Sequence, residues 1–174
     1  PVVRSVLDEL TDSQSRIHAL EKQLKQAVKD DPVIQRFMQI QGMGLLSATA
    51  MRASVPSPSQ FKNGRQLSAW LGITPREYSS GNQRHLGRIS KRGDKYLRTL
   101  IIHGARSVMA RIKILQREKK PLTALQLWAV QLEQRVGHNK ATVALANKTA
   151  RIAWAIVHNE TAYDPMLAAG IKTA

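Results

Sequence analysis

The sequence predicts a mainly α-helical protein, and three observations support this fold class. Apolar residues recur at spacings of three and four along most of the chain, which is the period of one helix face. Glycine and proline separate these periodic segments, as is typical of helix boundaries. No region is rich in strand patterns. With 174 residues and 43% hydrophobic content, the chain is long enough to bury a core.

Residues 1–31 form the first predicted element, a long coiled-coil helix. Apolar residues alternate at spacings of three and four, and charged residues lie off this seam. The seam positions are Val3, Val6, Leu10, Ser13, Ile17, Leu20, Leu24 and Ala27. Pro32 ends the helix, because proline disfavours helical backbone at the residue before it. The seam favours pairing with another subunit or another helix, and an amphipathic helix packed on its own domain stays open.

Residues 32–160 form the predicted helical domain, which opens with a helix-hairpin-helix pattern. A short helix leads to the turn Gly42-Met43-Gly44, and an Ala-rich helix follows from Leu45 to Ala53. Glycine allows the tight turn, and backbone N–H groups at the start of the second helix can hold a phosphate. Gly42 and Gly44 are therefore candidate nucleic-acid contacts. A plain pair of helices without a ligand fits the same residues.

Four further helices and an irregular segment complete the prediction. A short helix within 61–73 carries Leu67, Trp70 and Leu71 inward and ends at Gly72. Residues 74–94 are expected to be an irregular or hairpin-like basic loop, since glycine interrupts them repeatedly. A C-terminal helical bundle is predicted from periodic segments over 95–111, 121–136 and 139–158, and residues 161–174 are expected to form a tail.

Positive charge is concentrated in the middle third of the chain. The formal net charge is +15, and residues 61–120 contain 15 Lys and Arg residues against 3 Asp and Glu residues. A positive field localised in this way indicates a polyanionic partner, with nucleic acid as the first candidate. The candidate phosphate contacts are Lys62, Arg65, Arg76, Arg84, Arg88, Lys91, Arg92, Lys95 and Arg98.

Composition excludes several classes of function. The chain has no cysteine, which excludes disulfides, thiol nucleophiles and Cys-ligated zinc. Its histidines show no metal-binding spacing, and the basic segment has too few carboxylates for an acidic Mg²⁺ site. We therefore predict no metal and no cofactor in this chain. No apolar run approaches the ~18–20 residues of a membrane span, so no membrane partner is expected.

Two adjacent serines, Ser79 and Ser80, lie inside the basic segment. Attack on phosphorus by a serine requires a base for its proton and cations that neutralise the phosphate. Nearby arginines would meet the second requirement through bidentate contacts to phosphate oxygens. No strand–nucleophile–helix elbow frames a Ser-His-Asp hydrolase here. From these residues alone, a nucleophile and a simple phosphate-binding loop both stay open.

Several motifs between residues 36 and 110 together carry a family resemblance. They are the Gly-x-Gly turn at 42–44, "FKNGRQL" (61–67), "LGITPR" (71–76) and "SKRGD" (90–94). With them the segment resembles the C-terminal transposase domain of the Piv-invertase-related insertion-sequence transposases, whose members are guided by a bridge RNA. That family places its nucleophilic serine in Pro-Arg-x-Tyr-x-Ser-Gly, which here runs from Pro75 to Gly81. The resemblance thus implies that Ser80, not Ser79, attacks a DNA phosphodiester and forms a covalent phosphoserine intermediate.

The resemblance also implies a protein of two modules. An N-terminal RuvC-like domain would carry an Asp-Glu-Asp-Asp site for Mg²⁺ and would meet the serine across subunits, with the coiled coil taking part in that assembly. These 174 residues lack the acidic domain and begin without Met, so we expect a C-terminal fragment that is inactive by itself. The implied partners are DNA, a guide RNA and further copies of the chain, in the bacterial cytoplasm and associated with the nucleoid.

An alternative function is a non-catalytic helix-hairpin-helix module that binds nucleic acid and oligomerises through its coiled coil. Both hypotheses predict salt-sensitive binding, because phosphate contacts release counterions. They differ at Ser80, which only the first hypothesis requires for strand exchange. A purely structural coiled-coil scaffold leaves the charge of residues 61–120 unexplained.

Overall fold

The computed structural model describes residues 2–81, 83 and 85–165, and it confirms the mainly helical fold class. The helices are α1 (Val2–Ala27), α2 (Pro32–Met38), α3 (Leu45–Ser54), α4 (Gly64–Trp70), α5 (Lys95–Arg117), α6 (Ala124–Val136) and α7 (His138–His158), with a 3₁₀ turn at Pro58–Gln60. Strands β1 (Pro75–Glu77) and β2 (Leu86–Ile89) pair antiparallel between α4 and α5. Within the described part of the chain, no helix combines the length and apolar content needed to cross a membrane.

Helix α1 has the predicted seam, and that seam is uncovered. No residue of α1 is buried, and the seam residues Val6, Leu10 and Ile17 are 51%, 54% and 55% exposed. Val28, the residue that follows α1, packs against the core. The helix is confirmed, whereas its pairing with another chain stays a prediction.

Asp31 fixes the junction between α1 and α2. Its carboxylate caps α2 by accepting hydrogen bonds from the N–H groups of Val33 (2.8 Å) and Ile34 (3.2 Å), with Pro32 in the first helical turn. Arg52 of α3 forms an ion pair with the same carboxylate at 3.2 Å. Burial opposes ionisation, but the hydrogen bonds from Ile34, Arg52 and Val33 outweigh it and lower the pKa of Asp31. Asp31 therefore links the start of α2 to α3.

Helix α7 is the central helix of the domain. It packs against α2, α4, α5 and α6. Small side chains line its buried face, including Ala141, Ala146 and Ala150, which lets the neighbouring helices approach closely. Helix α5 contributes large apolar side chains such as Leu97 and Met109, which are fully buried. Each large side chain buried in this way contributes about 1.5–3 kcal/mol to folding.

Several details of the predicted elements differ from the structure. Helix α1 ends at Ala27, before the predicted end at residue 31, and α6 begins at Ala124 rather than at residue 121. Helix α5 continues to Arg117 rather than ending at Arg111. The inward orientation predicted for Trp70 is wrong, because the residue is 38% exposed. Leu67 and Leu71 occupy the core face of α4, and Trp70 lies about 100° around the helix from Leu71. Trp70 instead contacts the Phe61 ring at the edge of the core, with centroids 5.7 Å apart.

Candidate functional site

The described residues of the segment 74–94 form a β-hairpin that carries both serines near its turn. Pro75 pairs with Ile89, Glu77 pairs with Leu86, and an irregularity lies between these pairs. The Tyr78 N–H donates to the His85 carbonyl at 2.9 Å. The hairpin-like form of this segment is therefore confirmed.

Ser80 lies where the hairpin turns back. Its N–H donates to the Gln83 carbonyl (3.3 Å), and the Gln83 N–H donates to the Ser80 carbonyl (3.2 Å). Gly81 follows with φ +57°, a left-handed conformation that glycine adopts without strain from a side chain. The Ser80 backbone is thus fixed by two hydrogen bonds, while the residue as a whole is exposed to solvent.

The two serines have different surroundings. Ser79 Oγ donates to Glu77 Oε1 at 2.7 Å, so its hydroxyl proton is directed to that carboxylate. Within the described residues, Ser80 Oγ makes no hydrogen bond. The Ser80 hydroxyl is therefore open to a ligand, whereas the Ser79 hydroxyl is already bound to its neighbour.

Close backbone contacts anchor the base of the hairpin to the end of α4. The Ser90 N–H donates to the Thr74 carbonyl (2.9 Å), and the Lys91 N–H donates to the Gly72 carbonyl (3.0 Å). A Cβ at Gly72 would overlap the Arg92 carbonyl, and a Cβ at Gly93 would overlap the Trp70 carbonyl. Gly72 and Gly93 are positioning residues that the charge pattern did not reveal, although both flank predicted helices.

The predicted phosphate contacts near Ser80 have different roles in the fold. Arg76 Nη2 donates to the Ser90 carbonyl across the base of the hairpin at 3.2 Å. Arg88 is exposed on β2, and Arg84 lies outside the described residues. Three more cations follow β2, and all are exposed: Lys91 and Arg92 precede α5, and Lys95 is its first residue. No described carboxylate forms an ion pair with these three or with Arg88.

Arg98, the last predicted cation of this segment, is tied to the backbone. Its Nη1 donates to the Leu71 carbonyl at 3.1 Å and to the Asp94 carbonyl at 3.4 Å, and the side chain is half-buried. Asp94 in turn caps α5 by accepting a hydrogen bond from the Leu97 N–H at 2.8 Å. These bonds join the end of α4 to the start of α5, directly beneath the hairpin.

Lys62, Arg65, Gly42 and Gly44 lie away from the hairpin. Lys62 and Arg65 are exposed at the start of α4, about 10 Å along that helix from the end that leads to Ser80. Gly42 packs against Gly104 of α5, and Gly44 is the exposed N-cap of α3, with no side-chain cap. The predicted nucleic-acid contacts therefore lie in separate places: on or beside the hairpin, at the start of α4, and at the turn between α2 and α3.

A search of the described residues for clustered metal-ligating side chains gives a negative result. Among them, no three His, Cys, Asp or Glu side chains cluster in a way that would hold a metal ion. The hairpin instead presents hydroxyl and guanidinium groups, which suit an anionic ligand.

The fold and the hairpin define a helical, strongly basic domain, and comparison with known proteins gives its class. Residues 34–120, from α2 to just beyond α5, match the family model described as "Transposase IS116/IS110/IS902 family". The class is that of the transposases. This chain belongs to the IS116/IS110/IS902 family of transposases.

Similar proteins come from several bacteria. A "Probable family 20 transposase" of Pseudomonas aeruginosa is 46% identical over 164 residues, which cover 94% of this chain and 47% of that protein. The transposase for insertion sequence element IS1111A of Coxiella burnetii is 42% identical over 93% of this chain and 43% of its own length. The IS1328 transposase of Yersinia enterocolitica is 34% identical over 86% of this chain and 43% of its own. The chain therefore spans about half the length of the curated relatives it matches.

Proposed function

We propose that this chain supplies the serine nucleophile with which the whole transposase cleaves and exchanges DNA strands, and that the nucleophile is Ser80. The observation that carries the proposal is the position of Ser80 at the exposed turn of a rigidly anchored basic hairpin. Membership in a transposase family provides the substrate class, since such proteins act on DNA. The Pro75–Gly81 motif distinguishes Ser80 from Ser79, and the bond between Ser79 and Glu77 agrees with that distinction.

The proposed step is a transesterification at phosphorus. The Ser80 hydroxyl gives its proton to a base, and Oγ forms a bond to the phosphorus of a DNA phosphodiester. The bond from phosphorus to one deoxyribose oxygen breaks, and that oxygen takes a proton to become a hydroxyl. The DNA end stays attached to the protein as a phosphoserine diester, so a second strand's hydroxyl can displace Oγ without an external energy source.

Charge on the hairpin would lower the barrier of this step. The attacked phosphate gains negative charge on its non-bridging oxygens, and arginine stabilises such charge through paired N–H donors. Arg88 is exposed on β2 and meets this need with no change in the fold. Arg76 reaches the same phosphate if it exchanges its bond to the Ser90 carbonyl for the ligand. Arg84 is proposed as the third member from the sequence alone.

The remaining parts of the proposal concern the assembly of the whole protein. Helix α1 is proposed to pair through its exposed seam with copies of the same chain, and a guide RNA is proposed to share the basic surface with DNA. The acidic Mg²⁺ site of a RuvC-like module is proposed to lie outside these residues, and no step described here uses a metal. The fragment is expected to bind nucleic acid without cleaving it.

Matched serine variants of the full-length transposase test the nucleophile. With a nicked DNA substrate that traps covalent intermediates, wild type and Ser79→Ala are expected to give a protein–DNA adduct. Ser80→Ala is expected to reduce adduct and recombination to background while its DNA affinity stays within about twofold. An adduct formed by Ser80→Ala, or lost only in Ser79→Ala, would show that the assignment is wrong. Recombination by Ser80→Ala at the wild-type level would favour the non-catalytic binding module.

A further inference from the structure

A second group of basic side chains lies where α4 packs against α7, away from the hairpin. Gly64, the first residue of α4, contacts α7 so closely that a Cβ on it would lie 3.0 Å from Arg151 Cα. This contact brings Arg151 beside Lys62 and Arg65 at the start of α4. All three cations are exposed, so they form one charged surface from two separate parts of the sequence.

The antiparallel packing of α4 and α7 extends this surface toward the hairpin. Ser68 Oγ donates to the Asn147 carbonyl (3.4 Å), and Asn147 Nδ2 donates to the Ile73 carbonyl (3.4 Å). The two helices therefore run in opposite directions, since Gly64 lies beside Arg151 and Ser68 lies beside Asn147. Lys140, near the start of α7, lies toward the end of α4 that leads into β1. Lys140 and Arg151 are about three helical turns apart, so they share one face of α7 at a separation of ~16 Å.

Lys148 lies between these two residues and is held in place. Its Nζ lies over the Trp128 ring, 4.6 Å from the ring centroid. Burial lowers the pKa of Lys148, and the charge of Arg151 lowers it further. Across the described chain, no carboxylate forms an ion pair with any cation of this surface. The fold thus holds like charges close together without neutralising them, and a polyanion would relieve this repulsion.

The geometry points to a second nucleic-acid contact, which binds the backbone of duplex DNA. We name it the α4–α7 surface, and it consists of Lys62, Arg65, Lys140, Lys148 and Arg151. The inference rests on the proposed function, because it assumes that the chain acts on DNA. A length of ~16 Å is about half a turn of B-DNA, so the surface spans several successive phosphates and guides the duplex toward the hairpin. Its three α7 members were not predicted, since residues 121–174 are nearly neutral in total.

The aromatic residues beside this surface favour a duplex over a single strand. Single strands are bound by cations together with open aromatic faces on which bases stack. Here Lys148 covers one face of Trp128, and Trp154 stacks on His158 with centroids 4.3 Å apart. The Trp154 indole N–H also donates to the Pro58 carbonyl at 3.1 Å, which fixes the ring. The cations of this surface are therefore expected to bind the phosphates of a duplex, without base stacking on the aromatic rings.

The salt dependence of DNA binding tests the inference on this chain. The variant Arg65→Gln/Lys140→Gln/Arg151→Gln is compared with Arg16→Gln/Lys22→Gln/Lys25→Gln, which removes equal charge from α1. A labelled short duplex of arbitrary sequence is titrated at several salt concentrations. Each lost phosphate contact lowers the magnitude of the slope of log affinity against log salt by ~0.9. The slope of the first variant is therefore expected to fall by about 2–3 in magnitude, and the slope of the α1 control by much less. Equal slopes for the two variants would overturn the inference.

Two further arms separate this inference from the proposed function. A single-stranded RNA of the same length is expected to show a smaller change in slope than the duplex; a larger change would make the surface an RNA site and the inference wrong. Failure of the unaltered chain to bind duplex would instead overturn DNA binding itself. The two-site variant Lys140→Gln/Arg151→Gln repeats the test with less charge removed. Unchanged circular dichroism and Tm for the three-site and the two-site variants exclude unfolding as the cause of weaker binding.

Discussion

Gly42 and Gly104 lie with their backbones in direct contact, so that neither position has room for a side chain. A Cβ at Gly42 would lie 2.8 Å from the Gly104 carbonyl oxygen, and a Cβ at Gly104 would overlap the Gly42 carbonyl oxygen. Gly42 also has φ +85°, in the left-handed region that favours glycine. This contact holds the turn between α2 and α3 on α5, the helix whose first residues support the hairpin. The fold therefore gives Gly42 a structural role.

Gly104→Ala is expected to destabilise the domain even though alanine is the better helix former. Helix propensity favours the substitution by up to ~1 kcal/mol, whereas the added Cβ meets backbone that has to move. Such overpacking costs about 1–3 kcal/mol, so we expect a lower Tm in thermal unfolding. A Tm equal to or above that of the wild type would show that α2–α3 and α5 separate easily.

Gly42→Ala and Gly44→Ala form the matched pair for the turn itself. Gly42→Ala combines the clash with the positive φ and is expected to lower Tm by several degrees. Around the Cβ position of Gly44, no atom of the described residues lies within 4 Å, so Gly44→Ala is expected to lower Tm less than Gly42→Ala, through the weaker N-cap preference of alanine alone. If both variants keep the Tm of the wild type and lose DNA affinity equally, the phosphate-binding role predicted for both glycines is the better account.

Asp31→Ala is expected to lower stability in a manner that depends on pH. Loss of the cap typically costs about 1 kcal/mol, or a Tm decrease of roughly 2–4 °C in a chain of this size. Because the pKa of Asp31 is lowered in the folded state, its contribution is fully present above the ordinary value of 3.8 and is lost as pH falls through the lowered pKa. The Tm difference between wild type and Asp31→Ala should therefore shrink as the pH falls below the ordinary value of 3.8.

Asp30→Ala provides the control for this measurement. Asp30 is the exposed neighbour of Asp31, and no ion pair involving it is found within the described residues. We expect a small Tm change with no comparable dependence on pH. A constant Tm difference for Asp31→Ala across the acid range would contradict the ionic part of the explanation.

Arg98→Met and Lys95→Met separate a structural cation from one that is free to bind phosphate. Arg98→Met removes the two bonds to the Leu71 and Asp94 carbonyls and is expected to lower stability by about 1–2 kcal/mol. Lys95 is exposed at the start of the same helix, so Lys95→Met should keep Tm and lower the salt slope of DNA binding by ~0.9. The reverse pattern, with Tm unchanged in Arg98→Met, would restore Arg98 as a phosphate contact.

Ile17→Asn is expected to weaken association of the chain through α1. An amide in the apolar seam disfavours pairing, while the helical domain does not depend on a residue that is 55% exposed. His18→Asn, one position off the seam, is the control and should keep the mass of the unaltered chain in light scattering. If the unaltered chain is monomeric over the whole measurable concentration range, the prediction that isolated chains pair through α1 is wrong.

The helices of this protein were predictable because their signals are local. The seam of α1, Pro32 after Asp31 and the glycines before α3 and α7 each act within a few residues of the helix that they begin or end. The hairpin was only partly predictable, since its strands are short and exposed and depend on backbone contacts with α4. The prediction for Trp70 was wrong for a similar reason. In a helix of only two turns, the neighbouring elements determine which face is buried.

The sequence by itself determined the helical class, the excess of positive charge and the Pro75–Gly81 motif on which the proposal for Ser80 rests. These properties are set by residue type and spacing, which folding does not alter. Only the tertiary structure decided which cations share a surface. Helix α5 is about 34 Å long, so it carries Arg117 far from Lys95 although both belong to the same basic third of the sequence. Antiparallel packing of α4 on α7 instead places Arg151 beside Arg65, because helix packing joins residues that chain order separates.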